Sequence, residues 1–421
     1  MATFKDLNLI PPILRALEEK NYVNPTFIQQ AGIPHLLSKK DVLGHARTGT
    51  GKTAAFSIPI LQLLHNENER SGKSKKVKAL IITPTRELAA QIGDSVSDYG
   101  KYTSCRHAII YGGVSQTHQV NALQKGVDIL IATPGRLKDL INQGHVHLDE
   151  LEIFVLDEAD KMLDMGFIND IKFILARTPQ KKQSAFFTAT LTDSIKKLAG
   201  SILRNPAIVK ANEVDVCAKK IEQSVYFVSK QNKKKLLFHL LENESISNVL
   251  VFTKTKHGAD RLAKDLSKSG IQSDALHGGK SQNARDRALA NFKSKKSSVL
   301  VVTDVAARGI DIEKLAYVIN YDLPNEAETY VHRIGRTGRA GESGHAISFC
   351  DDEELNGFKK INNLANNAIR EIANHPFLTS PEDVGTPVKA APEPISKRKA
   401  SEWSRGQRIS AIYNSFKKRL I

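Results

Sequence analysis

Residues 46–53 read ARTGTGKT, set between the short apolar run DVLGHA (41–46) and the helical pattern TAAFSIPILQLL (53–64). A glycine-rich turn joining a strand to a helix is the plain reading. The usual phosphate-cradling pattern would place Gly where Ala46 stands. Ala46 begins the loop rather than wrapping an anion, so alanine is acceptable there while its φ stays negative. Gly49 and Gly51 let the backbone curl, turning its N–H groups and the helix N-terminus toward phosphate oxygens. Lys52 then supplies a point charge to the outer phosphates, and the Thr53 hydroxyl can ligate Mg²⁺. Pro59 predicts a kink in the helix that follows.

A triphosphate site also needs carboxylates at the end of a neighbouring buried strand. IFVLDEAD (153–160) supplies them, because Asp157 and Glu158 follow four apolar residues and emerge at the carboxyl edge of a sheet. Asp157 would act on Mg²⁺ through a bound water, since that ion keeps much of its hydration. Glu158 would orient and deprotonate an attacking water. Without Lys52 upstream, an acidic helix start would explain the same letters.

Outward from these motifs, apolar runs alternate with helical patterns. KALIIT precedes RELAAQIGDSVSDY, VDILIAT precedes GRLKDLINQ, LEIFVL precedes DEADKMLDM, and SAFFTAT precedes LTDSIKKLAG. Runs apolar along their whole length suit strands buried on both faces, and the helices suit crossovers between parallel strands. The rhythm restarts after residue 217 with QSVYFVS, SNVLVFT, SSVLVVTD, LAYVINYD and HAISFCD. The expected organisation is α/β, with two doubly wound parallel-sheet domains at 1–210 and 218–372 and a linker at 211–217. Residues 373–421, rich in Pro and charge, are expected to form a disordered basic tail.

Composition bounds the partners. Against 45 Asp and Glu stand 61 Lys and Arg, a net charge of +16 that favours a polyanion such as nucleic acid or an acidic membrane surface. Cys105, Cys217 and Cys350 lie far apart and form no CxxC pair, so neither zinc nor a disulfide framework is indicated. No basic leader precedes a long apolar run, and nowhere do about 18 apolar residues run unbroken. A soluble, cytoplasmic protein is expected. From Lys389 onward nine basic residues face Glu393 and Glu402, a net +7, interleaved with Trp403, Tyr413 and Phe416. A nonspecific RNA tether is favoured there over a docked helix or a membrane-surface helix.

The motifs NPTFIQ, ARTGTGKT, PTRELA, GG (112–113), TPGR, DEAD, TAT, VLVFTKT, HGGKSQNAR, TDVAARGID and HRIGRTGR follow one another along the chain. In that order the chain resembles a DEAD-box ATP-dependent RNA helicase, a superfamily 2 protein with two RecA-like domains. The likeness runs from Phe4 to about residue 350, and the compact core with a basic tail points to the bacterial RhlE-like type. The resemblance implies that Gln29 reads the adenine edge, Tyr22 stacks on the ring, Phe4 braces the site and Asp311 reaches the ribose. Phosphates would lie on Thr48, Gly49, Thr50, Gly51, Lys52 and Thr53. Arg336 and Arg339 would be the fingers that stabilise charge in phosphoryl transfer, placing ATP between the domains. With Arg333 they recur every third residue, so they would face one side if that stretch is helical.

The resemblance further implies RNA contacts at Pro84, Arg86, Gly113, Thr133, Arg136, Thr255, Thr303 and Arg308. Loop N–H groups, hydroxyls and arginines there suit backbone binding without strong sequence preference. Asp160, Thr188, Thr190, His332 and Arg333 would couple ATP state to RNA state, through a hydroxyl on Asp160. Thr188 stands where the family more often has Ser, and Asn21 where it has Gly; Asn tolerates a left-handed turn. The implied function is ATP-dependent unwinding of short RNA duplexes or remodelling of RNA–protein complexes with Mg²⁺, in ribosome assembly or RNA decay. An ATP-gated clamp, an RNA-annealing chaperone and a DNA helicase remain as alternatives.

Overall fold

The computed structural model describes residues 2–46, 49–71, 76–210, 221–243, 246, 248–307, 315–338, 343–366 and 368–377. Its contacts divide the chain into two compact units, each built on one seven-stranded sheet.

The first sheet comprises β1 (Val42–His45), β2 (Ala79–Ile82), β3 (His107–Ile110), β4 (Ile129–Ala132), β5 (Ile153–Leu156), β6 (Gln183–Thr188) and β7 (Ala207–Lys210). Their order is β3-β4-β2-β5-β6-β1-β7 and every pairing is parallel. Parallel neighbours cannot be joined by a tight hairpin, so a helix-bearing crossover connects them. The pleat then sends alternate residues into two cores. Ile81, Val155 and Phe187 pack on one face with Phe56, Leu61 and Ile92. Leu80, Phe154 and Phe186 pack on the other with Leu137, Ile171 and Ile195. A Cβ on Gly44 would fall 2.4 Å from the Phe187 ring, so only glycine lets that ring lie against β1. The Phe187 ring in turn meets Phe56 at 5.4 Å.

The second sheet repeats the plan with β8 (Ile221–Phe227), β9 (Val249–Phe252), β10 (Ser273–Leu276), β11 (Val299–Val302), β12 (Tyr317–Asn320), β13 (Gly344–Cys350) and β14 (Arg370–Glu371). Their order is β10-β11-β9-β12-β13-β8-β14, again wholly parallel.

The helix Lys52–Ser71 carries Pro59 in its interior. One expectation changes in this architecture. The tail does not begin at residue 373, because Ile372 donates its N–H to Val225 (2.9 Å) and Ile372 and Phe377 pack against the second core. His375 joins the same packing with its ring 5.4 Å from that of Tyr226. Apolar and ring side chains continue past the last strand and hold the segment to the sheet. The rest of the expected tail, from residue 378, and the linker 211–217 lie outside the described residues.

Candidate active site

Parallel pairing sets where the chemistry collects. The segments leaving β1, β2, β4, β5 and β6 all exit at the carboxyl edge of the first sheet, where ligands bind in open α/β folds. Ala46 donates to the Thr188 carbonyl (3.0 Å), fixing the start of the phosphate loop to β6. Gly49 and Gly51 adopt φ of 85° and 92°, left-handed values that glycine reaches without strain.

Lys52 begins the following helix and is 5% exposed. Its Nζ lies 3.6 Å from Asp157 Oδ1 and has no hydrogen-bond partner among the described residues. A buried ammonium that holds donors in reserve is costly unless an anion completes it. Asp157 is equally buried; burial raises its pKa above the ordinary carboxylate value, against the pull of Lys52. Its Oδ1 accepts the Glu158 N–H at 3.0 Å. Glu158 takes a left-handed backbone, φ 54° and ψ 49°, and accepts a hydrogen bond from Lys161 Nζ at 2.6 Å. Lys161, itself buried, is a partner that the motif alone does not single out, although its spacing three residues after Glu158 on a helix is the signal for such a pair.

Gln29 is also buried. Its Oε1 accepts the Thr26 N–H (2.8 Å) and its Nε2 donates to the Gly51 carbonyl (3.1 Å). A Cβ on Gly51 would fall 2.3 Å from that Nε2, so the glycine makes room for the amide. One amide hydrogen and one lone pair remain for a ligand. Nearby, Phe4 is buried and donates its N–H to Val23 (3.2 Å), while Tyr22 is 40% exposed with its ring 6.1 Å from Tyr99. Asn21 holds φ 56°, the turn expected of it.

Asp160 receives the Ala189 N–H at 3.1 Å and the Thr190 hydroxyl at 3.4 Å. Thr188 instead donates to the Thr190 carbonyl at 2.8 Å. The hydroxyl contact to Asp160 is therefore made by Thr190. Among the expected RNA contacts, Arg86, Gly113 and Arg136 come together on one loop. A Cβ on Gly113, φ 80°, would fall 2.1 Å from Arg86 Nη1, and Arg136 Nη2 donates to the Val114 carbonyl (3.2 Å). Pro84 and Thr133 are buried just beyond β2 and β4.

In the second unit, Thr255 and Thr303 follow the paired strands β9 and β11, where Phe252 faces Val302. The Thr255 hydroxyl accepts the Gly258 N–H at 3.0 Å as a helix cap. The shared helical side expected of Arg333, Arg336 and Arg339 is corrected, because the helix Ala327–Ile334 stops short of Arg336. Arg333 turns inward, 2% exposed, with Nε and Nη2 on the Asp304 carboxylate at 2.6 and 2.8 Å. Its Nη1 meets Asn320 Oδ1 at 3.2 Å and the Asp322 carbonyl at 2.6 Å, and its guanidinium lies 4.9 Å from the Phe252 ring centre. It is a buried strut joining β9, β12 and the segment after β11. Arg336 sits in the turn beyond the helix, buried, and His332 is half-buried. Thr48, Arg308, Asp311 and Arg339 lie outside the described residues.

Two family models match this chain: DEAD/DEAH box helicase over residues 26–198, and Helicase conserved C-terminal domain over residues 232–341. DEAD-box ATP-dependent RNA helicase CshA of Geobacillus kaustophilus is 40% identical over 355 residues, which cover 84% of this chain and 75% of that protein. ATP-dependent RNA helicase DeaD of Mycobacterium tuberculosis is 40% identical across 91% of this chain, which spans 66% of that relative's length. Among solved structures, S. cerevisiae Dbp5 bound to RNA and ADP BeF3 superposes with a TM-score of 0.76 at 31% identity, covering 88% of this chain and 96% of that one. On these matches, the chain belongs to the DEAD-box ATP-dependent RNA helicases.

Proposed function

We propose that this chain is an RNA-dependent ATPase that binds RNA backbone with little sequence preference and locally separates short duplexes or remodels RNA–protein complexes. The observation behind this reading is Lys52, a buried ammonium with unmatched donors, beside Asp157 at the mouth of a glycine loop. An anion fits there, and the phosphates of ATP are the anion that the strand, loop and helix are built to meet. Gln29, Tyr22 and Phe4 would receive the adenine. Mg²⁺, when bound, would neutralise charge developing on the phosphates. Thr53 and Asp157 would hold it. So small a donor set suits an ion that completes its shell from water and phosphate.

Glu158 would take a proton from the attacking water and Lys161 would hold its carboxylate in place. Arg336 and Arg339 would stabilise the transferring phosphoryl group. The Asp160–Thr190 contact would report nucleotide state to the RNA-facing segments. Dbp5 is a protein solved with RNA and a nucleotide analogue, and its likeness to this chain supports RNA as the polyanion that the charge of +16 calls for. The domains would run 1–210 and from 218 through the packed segment that ends at Phe377, with the cytoplasm as the site of action and ribosome assembly or RNA decay as the setting.

Glu158→Gln tests the chemistry. The variant should lose about 10²–10⁴-fold in hydrolysis while still binding RNA in the presence of ATP. Undiminished turnover would remove Glu158 from the mechanism, and loss of ATP-dependent RNA binding would show that the site itself had collapsed.

A further inference from the structure

Beside β3, lined in part by the loop that gathers Arg86, Gly113 and Arg136, lies an open cavity of ≈ 450 Å³. Tyr111, His107 and His118 line it with Val114, Ser115 and Gln119. β3 is an edge strand, so no further strand among the described residues covers this side. Gln119 is 8% exposed, and its Nε2 donates to the Tyr111 carbonyl at 3.0 Å. Its Oε1 has no hydrogen-bond partner among the described residues. With the amide nitrogen held on Tyr111, the side chain offers the cavity an acceptor and asks for a donor.

Three of the lining side chains are flat rings, which suit stacking on a planar group. The loop carrying Val114 and Ser115 is the same loop whose Gly113 neighbours Arg86 and whose Val114 carbonyl accepts from Arg136. We propose that the cavity takes one nucleobase of the bound RNA, stacked against the rings and donating an exocyclic N–H to Gln119 Oε1. The proposal rests on the reading of Arg86, Gly113 and Arg136 as a backbone track. It adds to that track a preference for one base at one position. A base is favoured over an added peptide strand because the lining includes three ring side chains and is continuous with the arginine loop.

The test compares short single-stranded RNAs carrying adenosine or purine riboside at each position in turn, bound by the full chain with a non-hydrolysable ATP analogue. Purine riboside keeps the ring and lacks the exocyclic amine. At one position it should bind on the order of tenfold more weakly than adenosine, and Gln119→Leu should erase that difference. Because Gln119 also caps Tyr111, Val114→Trp serves as a second variant; by filling the cavity it should erase the same difference while the Arg86-dependent affinity persists. Arg86→Ala should weaken every oligonucleotide alike. No effect of Arg86→Ala overturns the track and the pocket with it. An intact Arg86 effect with no position that separates the two nucleosides, or a difference that survives both cavity variants, overturns the pocket alone.

Discussion

Glu158 holds a left-handed backbone where β5 ends, a conformation that costs an L side chain about 1–2 kcal/mol. The sharp exit turns Asp157 toward Lys52 while the Glu158 carboxylate meets Lys161, so neighbouring carboxylates acquire different partners. The letters of both residues were legible in the sequence, as were the glycines and Lys52. Their partners were not. Gln29 on the Gly51 carbonyl, Thr190 rather than Thr188 on Asp160, and Arg333 drawn in by Asp304 all depend on which strand ends lie side by side, which local spacing does not encode. His107 gives a residue-scale prediction. Burial lowers its pKa below the ordinary 6.5. The folded state therefore resists protonation that the unfolded chain accepts. Above 6.5 the group contributes nothing; as pH falls below 6.5 and through the lowered folded value, it destabilises the fold. Urea midpoints measured across that range should fall less steeply for His107→Phe than for the parent, and parallel curves would rule the residue out.

At the scale of elements, the four strands that the apolar runs did not reveal are β3, β7, β10 and β14, and these are the four sheet edges. An interior strand is covered on both faces and reads as an unbroken apolar run, as ALII and IFVL do. An edge strand carries polar or exposed residues, as RE in β14 and SDAL in β10 do, so its signal fades into the surrounding loop. The same contrast sets mutational cost. Phe154→Ala, in β5 with no exposed surface, should destabilise the first unit by about 3–5 kcal/mol. Ile208→Thr, 60% exposed on β7, should stay within about 0.5 kcal/mol. Chemical denaturation of the two variants checks both, and equal costs would contradict the account of interior and edge.

Across the whole molecule, the positive surplus and the two repeated sheets point to a polyanion handled by two similar units. Both units were legible because the alternation of apolar runs and helical patterns restarts once. The end of the second was misplaced because Ile372, His375 and Phe377 are too few to form a periodic pattern, yet they pack. The basic residues from Lys389 onward, net +7, would act through their charge on an RNA backbone. Deleting residues 378–421 should weaken RNA affinity and flatten its salt dependence, by a slope of about 0.7 for each single-strand phosphate that the tail no longer neutralises, with ATP binding unchanged. Identical salt slopes would remove the tether. The most direct test of the central claim is steady-state hydrolysis of Mg·ATP by the full chain with no nucleic acid, with RNA, and with DNA of the same sequence. The account predicts strong stimulation by RNA and little by DNA; equal stimulation by DNA, or none by either, would contradict it.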